Sequence, residues 1–489
     1  MNYSMDSILC DELLQEIFQR LPPPPASSAA AVCLVSKRWL RLLRSSISSL
    51  SLTFFDHHHP PTITILPSLS SFLSQHPYLS SLSLTTAATA AVPISADQLL
   101  LAASHSCTNL RALRLFTEPL SLFSLLSLSS SFLHLSSLTI TIRRPLTFHQ
   151  WVPLLRHLKH LSIYLAAANA AAGRRTQLVS EETFNYDDEA EVKLESLSLS
   201  GFQAGDRELS YFWRNCKLIK KLELQSCEGV GDNSSFLAFL KSLNNTTLQE
   251  VELRTCRTAV EGVLLKLSQN CVSLKSLLIY DGCSKQGLLQ FVSEGRCFDI
   301  QKLDLRLPLD LSNEHLIAVS EKFRFLSSLR LQSCCLFNGE GLQAISKGVS
   351  SCELQELALV KCDVVERESG LLTLLGQNLK KLRKLDLSYN EMLVDKEVCS
   401  MLVSCGGHLN ELKFRGCGKL TNAVLLSMAK NCLCLETLDI MNCCSIESES
   451  VEWFLKHCCS YLRELLVEDS KVSVFARIVA SDKRIEVLG

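Results

Sequence analysis

One motif, Leu-x-x-Leu-x-Leu-x-x-Cys/Asn, recurs through most of this 489-residue chain and leaves few folds open to it. Clear copies begin at Ile219 (IKKLELQSC), Leu248 (LQEVELRTC), Leu326 (LSSLRLQSC), Leu354 (LQELALVKC), Leu382 (LRKLDLSYN), Leu409 (LNELKFRGC) and Leu435 (LETLDIMNC). Degenerate copies begin at Leu274, Ile300 and Leu462, and weaker ones at Leu79, Leu110, Leu135, Leu158 and Leu194. From Leu194 onward the starts fall 25 to 29 residues apart, a period of the leucine-rich-repeat class. The x-Leu-x-Leu-x core alternates as a strand must. Stretches such as 423–429 (AVLLSMA) follow with helical apolar spacing. No unit buries its own apolar face, so neighbours must stack. The expected fold is α/β: a leucine-rich-repeat solenoid with parallel strands inside and helices outside.

Cysteine usage agrees with that reading. Cys107, Cys216, Cys271, Cys297, Cys432 and Cys459 stand three residues before a repeat start, and Cys227, Cys256, Cys334, Cys362, Cys417 and Cys443 follow the strand. Small, weakly polar thiols suit a tight interior between coils. The double placement resembles the cysteine-containing class of leucine-rich repeats. No pair of Cys-x-x-Cys or His motifs has zinc-ligand spacing, and no metal site is expected.

The N-terminal segment 5–46 has a different character. Leu13, Ile17 and Leu21 recur at four-residue steps, as on one helix face. Asp11 and Glu12 open that helix, where its dipole favours acids. Pro22–Pro25 ends it. Val35, Trp39 and Leu42 mark a second amphipathic helix with Lys37, Arg38 and Arg41 on its wet side. A module of this size has too little core to stand alone.

The segment resembles an F-box. The matching residues are Leu9, Asp11-Glu12-Leu13-Leu14, Glu16-Ile17-Phe18, Arg20-Leu21-Pro22 and Leu34-Val35-Ser36-Lys37-Arg38-Trp39; Cys10 stands where the family usually has proline. The resemblance implies a small all-α domain that docks a Skp-type adaptor and, through it, a cullin. By the same resemblance Leu9, Leu13, Ile17, Leu21, Pro22, Val35 and Trp39 face the adaptor or support that interface. The expected organisation is a tail (1–4), the F-box (5–46), the solenoid (47–470) and a C-terminal cap (471–489). The cap is expected to hold a helix around Val474, Phe475, Ile478 and Val479 and a short strand in 484–488. The interval from Leu158 to Leu194 is 36 residues, so a loop insertion is expected at 166–192.

Function follows from these parts. The family resemblance implies a substrate-recognition subunit of a Skp–cullin–F-box ubiquitin ligase, with a protein target on the concave wall of the repeats. The alternative is a non-catalytic scaffold, or an F-box protein acting without a cullin. No phosphate-binding Gly-rich loop, Gly-x-Ser-x-Gly elbow or His-Glu-x-x-His is present, so no catalytic residues and no cofactor are expected. His57–His59 reads as a solvated loop. Net charge is −1, from 49 Lys+Arg against 50 Asp+Glu, which gives no footprint for nucleic acid. No apolar run reaches spanning length, and no positive n-region precedes an apolar stretch. The expected location is cytoplasm or nucleus.

The wall itself is legible as columns, because equal positions on adjacent strands lie about 4.8 Å apart. Arg254, Tyr280 and Arg306 fall in one column, with the arginines about 10 Å apart, and Arg330 falls in the next. Arginine and tyrosine favour binding hot spots, and arginine forks suit carboxylate or phosphate. This cluster is the expected contact for an acidic or phosphorylated segment, unless Glu252 and Asp304 pair with the arginines instead.

Overall fold

The computed structural model describes residues 9–21, 31–54, 65–86, 95–166, 192–230, 234–242, 247–282, 285–308, 310–348 and 353–489. The chain divides into two compact units, 1–220 and 221–489, each taken by itself below.

The first unit opens with two helices, α1 (Asp11–Gln19) and α2 (Lys37–Ser46). Six parallel strands follow: β1 (Ser49–Phe54), β2 (Ser81–Thr86), β3 (Ala112–Phe116), β4 (Ser137–Ile142), β5 (His160–Leu165) and β6 (Ser196–Ser200). Their register aligns one leucine per strand: Leu50, Leu82, Leu113, Leu138, Leu161 and Leu197. These side chains point to a continuous core, closed on its other side by helices such as Ala96–Ser106 and Leu122–Ser131. Strand β1 extends the repeats by one irregular unit ahead of the Leu79 start. Of the expected insertion, residues 167–191 lie outside the described residues. Its flanks are tied down: the Ala166 N–H donates to the Ile142 carbonyl at 2.9 Å and the Val192 N–H to the Asn215 carbonyl at 3.1 Å. The His57–His59 run also lies outside the described residues.

One buried histidine gives this unit a pH dependence. His76 is 3% exposed, with Nδ1 3.0 Å from the Phe72 carbonyl. Burial, joined by the charge of Arg44, holds its pKa below the ordinary value against the pull of that carbonyl. The unfolded chain therefore binds this proton more readily than the folded one. The contribution is complete above about pH 6.5 and shrinks as pH falls from there toward the folded value. Urea midpoints at about pH 7.5 and 5.5 should separate more for the native chain than for His76→Gln, and an equal separation would discard the assignment.

The second unit stacks eleven parallel strands: β7 (Lys221–Gln225), β8 (Glu250–Arg254), β9 (Ser276–Tyr280), β10 (Lys302–Arg306), β11 (Ser328–Gln332), β12 (Glu356–Val360), β13 (Lys384–Asp386), β14 (Glu411–Lys413), β15 (Thr437–Asp439), β16 (Glu464–Leu466) and β17 (Glu486–Leu488). The leucine column runs unbroken from Leu222 through Val251, Leu277, Leu303, Leu329, Leu357, Leu385, Leu412, Leu438 and Leu465 to Val487. After most of these strands the chain turns out of the sheet through a left-handed residue, with φ between 50° and 55° at Ser226, Thr255, Asp281, Leu307, Ser333 and Lys361. That conformation keeps the turning residue's own N–H on the ladder, as where Thr255 donates to the Tyr280 carbonyl at 2.7 Å.

The thiols after the strands complete this turn. Cys227, Cys256, Cys334, Cys362, Cys417 and Cys443 are all buried. Cys256 Sγ accepts the Cys227 N–H at 3.3 Å and donates to the Leu224 carbonyl at 3.3 Å. Cys362, Cys417 and Cys443 likewise donate to carbonyls of the preceding coil, at 3.4, 3.2 and 3.0 Å. The second set sits at helix ends: Cys107, Cys216, Cys271 and Cys432 each close a helix, while Cys297 donates to the Cys271 carbonyl at 2.8 Å. Burial pushes Cys216, Cys271, Cys297, Cys417 and Cys432 up to about 12.

The C-terminal helix spans Val474–Asp482 and β17 ends the sheet. The helix turns Ala476 and Ala480 inward against helix Ser448–His457. Val474, Phe475 and Ile478 face outward, so the helix is where its apolar residues put it but rests on its alanines. Small side chains let the two helix axes approach closely, which the larger ones would prevent.

Candidate functional site

The N-terminal helices form a small core of their own. Leu14 and Phe18 of α1 meet Leu42 and Leu43 of α2, with Leu9, Leu21, Val32, Cys33, Trp39 and Ile47 packed around them. The Phe18 and Trp39 rings lie 5.5 Å apart, and Trp39 Nε1 is buried without a hydrogen-bond partner. Helix α2 starts where Ser36 accepts the Trp39 N–H at 3.1 Å. From the same first turn Arg38 reaches across to Asp11 at 2.6 and 2.8 Å and to the Leu9 carbonyl at 2.8 Å. That fork staples the start of α1 to α2, so Arg38 is drawn off the wet face.

This packing sorts the expected adaptor residues. Leu13 and Ile17 are 50% and 47% exposed, and Val35 is 54% exposed beside Leu34 at 87%. Leu9, Leu21 and Trp39 instead support the core from its edge. Pro22 lies outside the described residues. The four-residue step grouped Leu21 with Leu13 and Ile17, but α1 closes at Arg20, so Leu21 lies beyond it and folds back, its N–H on the Phe18 carbonyl at 3.2 Å. Val35 likewise precedes α2 rather than lying within it. Four large apolar side chains, Leu13, Ile17, Leu34 and Val35, thus stand exposed on a small module.

On the strand face of the second unit the register aligns Arg254, Tyr280 and Arg306, with Arg330 opposite Asp304 in the adjoining column. Each arginine holds a carboxylate. Arg254 binds Glu252 at 2.7 Å, Arg306 forks onto Asp304 at 2.7 and 2.9 Å, and Arg330 reaches past Ala358 to Asp386 at 3.2 Å. Burial pushes Glu252 up, but hydrogen bonds from Lys221 and Arg254 prevail and hold it below its ordinary value. Arg415 is paired in the same way with Asp439 at 3.0 Å. A groove of about 300 Å³ runs along these strands between Asp304, Arg306, Arg330, Lys384 and Asp386, and a second of about 480 Å³ lies beside Tyr389, Arg415 and Asp439. A ligand anion would have to displace a protein carboxylate at each of the arginines.

The strand face of the first unit is different. Every outward position of β1, β2, β4 and β6 is serine or threonine. Strand β5 presents His160, Ser162 and Tyr164, and β3 presents Ala112, Arg114 and Phe116. No carboxylate lies in these columns. Arg114 is exposed and has no ion pair among the described residues. Its register neighbours are Ser83 on β2 and Thr139 on β4. The Leu110 start places Arg114 in the middle column, so the signal was in the repeat; no neighbouring arginine drew attention to it.

No helix among the described residues is long and apolar enough to cross a membrane, and no cluster of three His, Cys, Asp or Glu among them is placed to hold a metal.

Residues 7–50 match the family model of the F-box domain. Among solved structures the chain is similar to a leucine-rich-repeat protein of Leptospira interrogans, at 14% identity and a TM-score of 0.34 over 97% of each chain. It is similar to the yeast Rad7 and Elc1 complex at 13% identity and a TM-score of 0.39, over 98% of this chain and 92% of that one. An internalin of Listeria monocytogenes matches at 14% identity and a TM-score of 0.37, over 82% of this chain and 98% of the internalin. Overlays this loose add nothing to the fold, which the strand register establishes by itself. With a family-matched domain at its front and stacked Leu-x-x-Leu-x-Leu coils behind, the chain is an F-box/leucine-rich-repeat protein.

Proposed function

We propose that this chain is the substrate-recognition subunit of a Skp–cullin–F-box ubiquitin ligase. The F-box docks a Skp-type adaptor and through it a cullin, and the strand face of the repeats holds a protein target. The observation that carries the reading is the outward apolar set Leu13, Ile17, Leu34 and Val35 on a matched F-box whose described core is Leu14, Phe18, Leu42 and Leu43. Leu9, Leu21 and Trp39 would act by holding that face in place; Pro22 is proposed to share that role on the family resemblance alone. Ligase chemistry belongs to the partners; this chain contributes proximity between target and ubiquitin carrier. Arg254, Tyr280, Arg306 and Arg330 are proposed target contacts, used as guanidiniums fixed by their carboxylates and as a ring to pack on.

Co-expression of the full chain with a Skp-type adaptor tests the reading. The native chain should co-purify with it. Leu13→Asp with Ile17→Asp should weaken capture roughly a hundredfold, because two half-buried contacts of about 1.5 kcal/mol each are lost. The melting temperature should hardly move, since neither side chain is in the core. Trp39→Ala should lower both capture and stability. A native chain that never binds the adaptor would sink the proposal; adaptor binding without a cullin would leave the scaffold reading.

A further inference from the structure

The two strand faces differ in one chemical respect. In the second unit each arginine of the face is neutralised by a carboxylate: Arg254, Arg306, Arg330 and Arg415 all carry a partner. In the first unit the face is a carpet of hydroxyls interrupted by one unneutralised guanidinium, Arg114. Acids stand near its edges, among them Glu118, two residues past β3. Glu195, at the entry to β6, is bound from both sides by Lys159 at 3.0 Å and Lys220 at 2.7 Å.

We propose that the first unit's strand face binds an extended peptide carrying a single phosphorylated serine or threonine, with Arg114 receiving the phosphate. This deepens the proposed function and rests on it: it names the class of target segment and moves the anion site away from the Arg254–Arg306 column.

Three observations favour this occupant. The Arg114 fork supplies two parallel N–H donors, the geometry that suits phosphate oxygens. The Ser83 and Thr139 hydroxyls stand in register on either side, about 4.8 Å away in the sheet, and neither is hydrogen-bonded among the described residues. A tetrahedral dianion has three acceptor oxygens to share among such donors. A run of acids, by contrast, would find one cation and then only neutral hydroxyls, so a lone concentrated charge fits better than a spread one. Two residues along β3, Phe116 is 38% exposed and meets the Tyr164 ring edge-on at 5.7 Å. That pair offers an apolar platform next to the anion site, so the peptide should carry an apolar residue close to its phosphoresidue.

The experiment uses the full chain co-purified with its adaptor. The probes are three immobilised peptide libraries with degenerate flanks and a fixed central phosphothreonine, threonine or glutamate. Retention should favour the phosphothreonine library, and Arg114→Ala should lower it about tenfold. Ser83→Ala with Thr139→Val should give a smaller loss in the same direction. Equal retention on the threonine library, equal retention on the glutamate library, or phosphate-dependent retention that survives Arg114→Ala each overturns the proposal. Adaptor capture in the same preparation reports the receptor reading separately, so failure of one is not mistaken for failure of the other.

Discussion

Asn390→Ala is expected to destabilise the second unit by about 4 kcal/mol, because two or three buried backbone groups lose their partner at once. Asn390 is 1% exposed and stands where neighbouring coils have cysteine. Its Oδ1 accepts the Cys362 N–H at 2.8 Å, and its Nδ2 donates to the Leu359 carbonyl at 2.8 Å and the Leu387 carbonyl at 2.7 Å. Alanine cannot replace any of these bonds, and the site is closed to water. The Leu387 carbonyl keeps Cys417 Sγ at 3.2 Å, so the heaviest penalties fall on the Cys362 N–H and the Leu359 carbonyl. Asn390→Cys should recover most of the loss, since Cys256 makes the same accept-and-donate pair after β8. Urea unfolding of the three proteins checks the order. A loss below about 1 kcal/mol for the alanine variant would show that the site relaxes or admits water.

Arg144→Ala carries the second large effect, about 3 kcal/mol from the first unit. Asp206 has a side chain 8% exposed and is held by a two-point fork, Arg144 Nε at 2.8 Å on one oxygen and Nη2 at 2.8 Å on the other. It also accepts the Gln203 N–H at 2.8 Å. Removing the arginine leaves a carboxylate in a site with little water, and the loss of one partner from a buried pair costs about 3–5 kcal/mol. The low end applies because Arg144 itself is 42% exposed. Asp206→Ala should cost less, since the guanidinium left behind reaches solvent. The double variant should fall short of the sum by about 1–2 kcal/mol. Strict additivity in denaturant unfolding would mean that the fork contributes nothing of its own.

How much of this was legible in the sequence depends on which residues carry the information. Each repeat start from Leu79 to Leu462 has a strand two residues later, including the degenerate copies at Leu274 and Ile300. That is so because an inward leucine on every second residue leaves the backbone one way to lie. The columns of the wall follow from the same register, so the alignment of Arg254, Tyr280 and Arg306 was readable. Which charges pair was not, because flexible side chains choose among several carboxylates at similar range. The F-box helix was legible in part: Leu13 and Ile17 share its outward face, while Leu21 lies past its end at Arg20. Helix α1 is apolar on two faces, Leu14 with Phe18 and Leu13 with Ile17, and periodicity finds both without saying which turns inward. The same ambiguity put Phe475 and Ile478 forward in the last helix while Ala476 and Ala480 took the contact.

The buried thiols have a chemical consequence for the molecule as a whole. Alkylating reagents and peroxides attack the thiolate, and groups raised to about 12 hold almost none of it at neutral pH. Exposed Cys10, Cys335, Cys434 and Cys444 form a separate class that meets reagent directly. Coil by coil, sulfurs such as Cys216, Cys271 and Cys297 thus become a record of opening: each is silent toward electrophiles while its neighbours stay stacked, and each takes up a label when its own turn of the chain comes apart.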